Sequence, residues 1–223
     1  MSKPFIFPDA TRRTTIVGAT GSGKTRFAAW LWSNSPFRTR PYIAIDFKGD
    51  DLIAQIDRAQ EIAIKDKIPK APGLYVIRPM PHEQDEMDQW LYRVWQRGEI
   101  GLWLDEGFML PQSRYLDAIL TQGRSLRIPA TILTQRPVRC SRHVFAQADC
   151  FALFEMYDWR DIETVTQFVP QDDVWTFDYE LPRFSCRWRD NPNRISSVID
   201  PVPDDGYILD RFDSALRPKL RGL

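Results

Sequence analysis

The chain has 223 residues, 43% of them hydrophobic, and its 30 basic residues are balanced by 30 acidic ones. That length builds one large domain, or a domain with appendages, around a sizeable core. Zero net charge excludes binding to nucleic acid through bulk charge, and no apolar run approaches the ~18 residues of a membrane span. The opening MSKPFIFPDA lacks the charged-then-apolar pattern of a signal peptide. Cys140, Cys150 and Cys186 form no metal-type pair and cannot all pair with one another, so buried thiols in a soluble, cytosolic protein are expected. The cations are lopsided: 23 of the 30 are arginine, which grips phosphate and carboxylate with two prongs where lysine offers a point charge.

In chain order, residues 1–13 read as an N-terminal arm. Thr14–Val17 is a short β-branched strand that runs into a glycine loop, and a helix follows from Lys24 to Ser33 with Phe27, Trp30 and Leu31 on one face. Tyr42–Phe47 and Leu74–Ile77 are the next strands. Met87, Trp90, Leu91, Val94 and Trp95 then form one helical stripe. Acids precede that helix, Arg93 and Arg97 close it, and Gly98 stops it. Five large apolar groups on one stripe are core. Leu102–Leu104 is a buried strand, followed by a helix from Ser113 to Leu126. Strands at Ala130–Thr134 and Cys150–Phe154 and a helix from Asp158 to Phe168 complete the pattern. Such alternation predicts an α/β core over residues 14–170, with a mostly parallel sheet covered by helices on both faces. Beyond it, Trp175, Phe177 and Tyr179, and then Phe184, Cys186 and Trp188, alternate with polar residues around Leu181-Pro182. That predicts a small β-hairpin appendage over 171–189. Residues 190–223 are polar and proline-bearing and are expected to form an extended tail.

The chemistry starts at GATGSGKT, Gly18–Thr25, which matches G-x-x-x-x-G-K-[ST] at every fixed position. It follows a strand and opens a helix, the context that motif needs. The backbone from Gly18 through Ala19, Thr20, Gly21, Ser22 and Gly23 would wrap the β-phosphate of ATP. Lys24 would reach the β- and γ-phosphates, and the Thr25 hydroxyl would bind Mg²⁺. The apolar strand in IGLWLDEGFML ends in Asp105-Glu106. Consecutive acids there are costly to bury unless they serve a cation. Asp105 would hold Mg²⁺ through water, and Glu106 would be the general base on the attacking water. Strand Ala130–Thr134 delivers Gln135 at its carboxyl end, where ligands of such sheets bind. A neutral amide there can donate and accept at once, and so sense a γ-phosphate. Arg124, on the preceding helix–loop, is better placed for a neighbour's nucleotide than for its own, as an arginine finger in a ring or filament. Arg127 is the second candidate.

Over Thr14–Tyr157 the chain resembles the FtsK–HerA superfamily of P-loop ATPases with a RecA-like core, which pump DNA. The resemblance rests on GATGSGKT, on IAIDFKGD (Ile43–Asp50), on LWLDE (Leu102–Glu106) and on GRSLRIPATILTQRP (Gly123–Pro137). Arg124 stands where that family's trans-acting arginine stands, eleven residues before the glutamine of T-Q-R-P. Asp46-Phe47-Lys48-Gly49 looks like the family's second-strand motif, an acid followed by Lys-Gly. The small size resembles the genome-packaging ATPases of membrane-containing icosahedral phages. The resemblance implies a homo-oligomeric ring, a hexamer, with ATP and Mg²⁺ between subunits. It also implies DNA driven into a preformed capsid, capsid vertex proteins as partners, and a place in the host cytoplasm and at the packaging vertex. A motor indifferent to sequence should grip phosphates. Arg139 and Arg142 beyond Gln135, and Arg38 and Arg40 after the first helix, are therefore the candidate DNA contacts. Arginine loops without an aromatic stacking array favour duplex. Two alternatives stay open: a P-loop NTPase driving protein secretion or filamentous phage assembly, and a small P-loop kinase.

Overall fold

Aliphatic and β-branched runs as far as Leu153 become seven parallel strands in a computed structural model that describes residues 5, 7–170 and 181–217. They are β1 Arg13–Val17, β2 Pro41–Asp46, β3 Gln60–Ile62, β4 Gly73–Ile77, β5 Gly101–Asp105, β6 Ala130–Thr134 and β7 Cys150–Leu153. Helices α1 Lys24–Trp32, α2 Asp51–Ala54, α3 Gln84–Arg97, α4 Arg114–Gln122 and α5 His143–Ala146 connect them, and α6 Trp159–Thr166 follows β7. Two antiparallel strands, β8 Cys186–Asp190 and β9 Ile195–Ile199, extend one edge, and α7 Asp205–Leu216 comes last. The sheet order is β3-β4-β2-β5-β6-β1-β7-β8-β9.

Side chains alternate across this sheet, so each strand feeds two cores. Ile43, Ile45, Leu102 and Leu104 face α3 and α4, packing with Trp90, Leu116 and Ile119. Tyr42, Ala44 and Trp103 face the other way, against Phe27 and Trp32 of α1. Both faces are covered, which is why the strands read as continuous apolar runs. The stripe on α3 is core as expected: Met87, Trp90, Leu91 and Val94 are fully buried. Trp90→Ala should cost about 3–5 kcal/mol, seen as a lower urea midpoint with an unchanged slope.

The register lines up the carboxyl ends of the central strands. Asp46 of β2 pairs with Asp105 of β5, and Val17 of β1 pairs with Thr134 of β6 and Leu153 of β7. One edge of the sheet therefore gathers the loops that follow five strands.

The carboxyl-terminal part departs from expectation. The arm expected around Trp175–Tyr179 lies outside the described residues. The other arm is β8, but it pairs with β7 and β9, so it belongs to the main sheet. The stretch expected to be extended carries β9 and α7 instead. Asp204 caps α7 by accepting a hydrogen bond from the Tyr207 N–H at 2.9 Å, and Ile208 and Phe212, one turn apart, are buried. Arg26 of α1 holds Asp205 at 2.6 Å. That two-residue stripe, placed after Pro201 and Pro203, is too thin to stand out from a polar background.

Cys150 and Cys186 are buried, Cys140 is partly so, and all three are free thiols. Burial pushes the Cys140 thiol up to about 12. Among the described residues, no helix is long and apolar enough to cross a membrane.

Candidate nucleotide site

The glycine loop leaves β1 and enters α1. It is tied to its neighbours by the Gly18 N–H, which donates to the Thr134 carbonyl, and the Ala19 N–H, which donates to the Glu155 carbonyl at 2.7 Å. Gly23, at the start of α1, has φ +104°, a conformation that L side chains avoid. Lys24 is buried, and its ammonium donates to the Ala19 carbonyl at 2.8 Å, closing the loop on itself. Desolvation lowers its pKa to about 8, helped by the charge of Lys48 and opposed by Asp105. A buried ammonium held by one carbonyl in a glycine loop is a site prepared for an anion.

Asp105 and Glu106 end β5 on the same edge. Both are buried. Desolvation raises the Asp105 pKa to about 6, and its two carboxylate oxygens have no hydrogen-bond partner. Leaving them so is costly, and a hydrated cation would satisfy them. Among the described residues no group of three His, Cys, Asp or Glu would hold a metal alone. Mg²⁺ takes few carboxylates and shares substrate phosphates, so the unpartnered Asp105 oxygens would suit it. Glu106 adopts φ +62°, ψ 67°, rare for a residue with a side chain. It forms an ion pair with Lys48 from the loop after β2.

Gln135 follows β6 directly, and its Oε1 accepts a hydrogen bond from the Thr20 hydroxyl of the glycine loop. Gln135, expected to face a γ-phosphate, thus contacts the glycine loop through Thr20. Next to it, Arg136 is tied to Asp158 at 3.1 Å. A cavity of about 370 Å³ opens there, between Thr20, Gln135 and Tyr157. A second, of about 470 Å³, lies between Ser22, Glu155, Arg183 and Phe184. Phe184 takes Arg26 and Arg183 on its ring, at 5.4 and 4.6 Å.

Arg124 sits at the opposite edge. It follows α4, and its guanidinium meets Asp149, just before β7, at 3.2 Å while staying 60% exposed. A β-strand length separates it from Lys24, so it cannot reach its own site. Arg127 pairs with Glu99 on the surface at 3.1 Å. The four candidate DNA contacts do not converge. Arg38 and Arg40 precede β2 on the amino edge, where they donate to the carbonyls of Ser214 and Arg127. Arg139 is exposed beyond β6 on the nucleotide edge. Arg142 stacks on Phe168 at 4.7 Å and donates to Gln167.

No protein-family model matches the chain. The DNA packaging ATPase P9 of Enterobacteria phage PRD1 is 37% identical over 221 residues, which span 95% of this chain and 96% of that protein. The chain belongs to this family of phage DNA packaging ATPases. Its fold is that of solved packaging enzymes. The genome packaging NTPase B204 of Sulfolobus turreted icosahedral virus 2, in complex with sulfate, superposes with a TM-score of 0.70 at 15% identity, over 88% of this chain and 100% of that one. The same protein in complex with AMPPCP gives 0.69 at 15% identity, over 87% and 100%. The pCW3 conjugation coupling protein TcpA gives 0.63 at 11%, over 92% of this chain and 64% of that one.

For a packaging ATPase, four residues stand out that sequence reasoning passed over. Lys48 lay inside a quoted motif without a role, although a lysine two residues past a strand-end acid was the available signal. Arg183 and Phe184 had none, because a gap of about 160 residues in sequence separates them from the loop they flank. Asp149, which holds both Arg13 and Arg124, precedes a strand as an ordinary loop acid would.

Proposed function

We propose that this chain is the motor subunit that hydrolyses ATP with Mg²⁺ to drive duplex DNA into a preformed capsid. Gly18–Gly23 and Lys24 bind the phosphates, and Thr25 and Asp105 hold the metal. When bound there, Mg²⁺ would supply positive charge against the phosphates in the transition state. Glu106 takes a proton from the attacking water. Gln135, linked to Thr20, reports the state of the γ-phosphate to the loop carrying Arg139 and Arg142. The cavity beside Phe184 takes the nucleoside.

The observation that carries this reading is a division between the two edges of the sheet. Phosphate loop, acids and Gln135 share the carboxyl edge, while Arg124 is held by Asp149 on the amino edge, exposed. A finger that cannot serve its own site serves a neighbour's, through a head-to-tail contact that repeats into a ring or a filament. We infer a hexamer docked on capsid vertex proteins, working in the host cytoplasm and at the packaging vertex. Family membership favours this over a secretion NTPase or a kinase. The test is ATP turnover per subunit across a concentration series, with duplex DNA, single-stranded DNA or none. A ring motor gives a rate per subunit that rises with concentration and is stimulated by duplex. A rate indifferent to both contradicts it.

A further inference from the structure

The turn after β2, Asp46-Phe47-Lys48-Gly49-Asp50, is built with more care than a connection needs. Asp46 is buried. Its Oδ1 accepts the N–H groups of Gly49 at 2.9 Å and Asp50 at 3.2 Å, and its Oδ2 accepts from Arg78 Nε at 3.1 Å. Gly49 has φ +68°, which glycine adopts without strain. The acid and the glycine together fix the turn, and the turn fixes Lys48 at its tip. Because Asp46 pairs with Asp105 across β2 and β5, that tip overhangs the end of β5. There the Lys48 ammonium meets Glu106 in an ion pair.

This pair has an unequal environment. The Glu106 side chain is 2% exposed, while that of Lys48 is 39% exposed. The carboxylate is fixed, and the ammonium sits on a flexible four-carbon stem that can turn elsewhere. A carboxylate committed to an ammonium is a poor acceptor for the proton of water. Lys48 follows β2 and Lys24 follows β1 on the same carboxyl edge of the sheet, so a second ammonium stands on the edge that carries the glycine loop. A terminal phosphate carries more charge than one carboxylate and is the stronger partner for it.

The geometry points to Lys48 as a positioning residue with two alternative anions. Without a γ-phosphate it holds Glu106; with ATP bound it moves to the γ-phosphate oxygens and leaves Glu106 free to act on water. The site then has an idle state that cannot activate water until the triphosphate is complete. This rests on the reading of Glu106 as the base.

The test measures binding of ATPγS and of ADP, each with Mg²⁺, together with kcat and KM. The proteins are wild type, Lys48→Ala, Lys48→Arg, Glu106→Gln and the double variant Lys48→Ala/Glu106→Gln. Lys48→Ala should weaken ATPγS by about 10- to 100-fold, the loss of one charged hydrogen bond. ADP should change by less than about twofold, and Lys48→Arg should restore most of the ATPγS affinity. The preference for ATPγS should fall at least as far when Lys48→Ala is added to Glu106→Gln, where no carboxylate competes for the ammonium. Equal weakening of ATPγS and ADP would overturn the inference, as would no change in either. It would also fall if the effect vanished in the Glu106→Gln background, since Lys48 would then only screen a buried acid. Turnover by Glu106→Gln at the wild-type rate would overturn the base assignment itself, whatever the binding ratio.

Discussion

Glu106→Gln is expected to lower kcat by about 10²- to 10⁴-fold while leaving ATP binding within a few-fold of wild type. Glutamine has nearly the shape of glutamate, so the fully buried pocket at the end of β5 is neither emptied nor overfilled. The amide cannot take a proton from water, and that is the whole of the intended change. The partner left behind, Lys48, is 39% exposed and finds solvent, so no buried charge is stranded. The unusual backbone of Glu106, at φ +62°, is borne by the same residue position and is not altered by the swap. Single-turnover hydrolysis beside equilibrium binding separates the two effects. A variant that retains more than about a tenth of the wild-type rate would remove Glu106 from the chemistry.

Arg124→Ala should be as damaging, by about 10³- to 10⁵-fold if it stabilises charge in the transition state of a neighbour's site. Its removal should leave the subunit folded. The guanidinium is 60% exposed and its partner Asp149 keeps Arg13 at 3.1 Å. Asp149 is buried but stays paired with Arg13 when the exposed Arg124 is removed, so an unfolding midpoint close to that of wild type should accompany the lost activity. Arg127→Ala is the matched comparison on the same loop: that residue is engaged with Glu99 on the surface, and its loss should do much less. Full activity of Arg124→Ala would leave the exposed arginine at the amino edge without a catalytic role.

Much of the ATPase core was legible because its signals are local. Gly18–Thr25 carries its own confirmation, lying between a β-branched strand and a helix. The stripe from Met87 to Val94 repeats at the helical period over two turns. Asp105-Glu106 was visible as two charges that an apolar strand would otherwise not tolerate. What stayed hidden depends on distant partners. The role of Lys48 follows from the pairing of β2 with β5, which connects residues nearly sixty positions apart. α7 rests on only two buried apolar residues, Ile208 and Phe212, and on contacts with α1 far away in sequence. The proposed DNA contacts were two basic loops in the sequence, and the parallel sheet sends Arg38 and Arg40 to one edge and Arg139 to the other. Sequence spacing carries no information about which end of a sheet a loop occupies.

The most direct measurement is ATP hydrolysis by an equal mixture of Glu106→Gln and Arg124→Ala subunits, each inactive alone. In a ring assembled at random, about a quarter of the interfaces join an intact Glu106 to an intact Arg124. Turnover should therefore recover to a substantial fraction of wild type on mixing, and should require enough protein for subunits to associate. A mixture as inactive as its two components, at every concentration, would contradict a site completed by the neighbouring subunit.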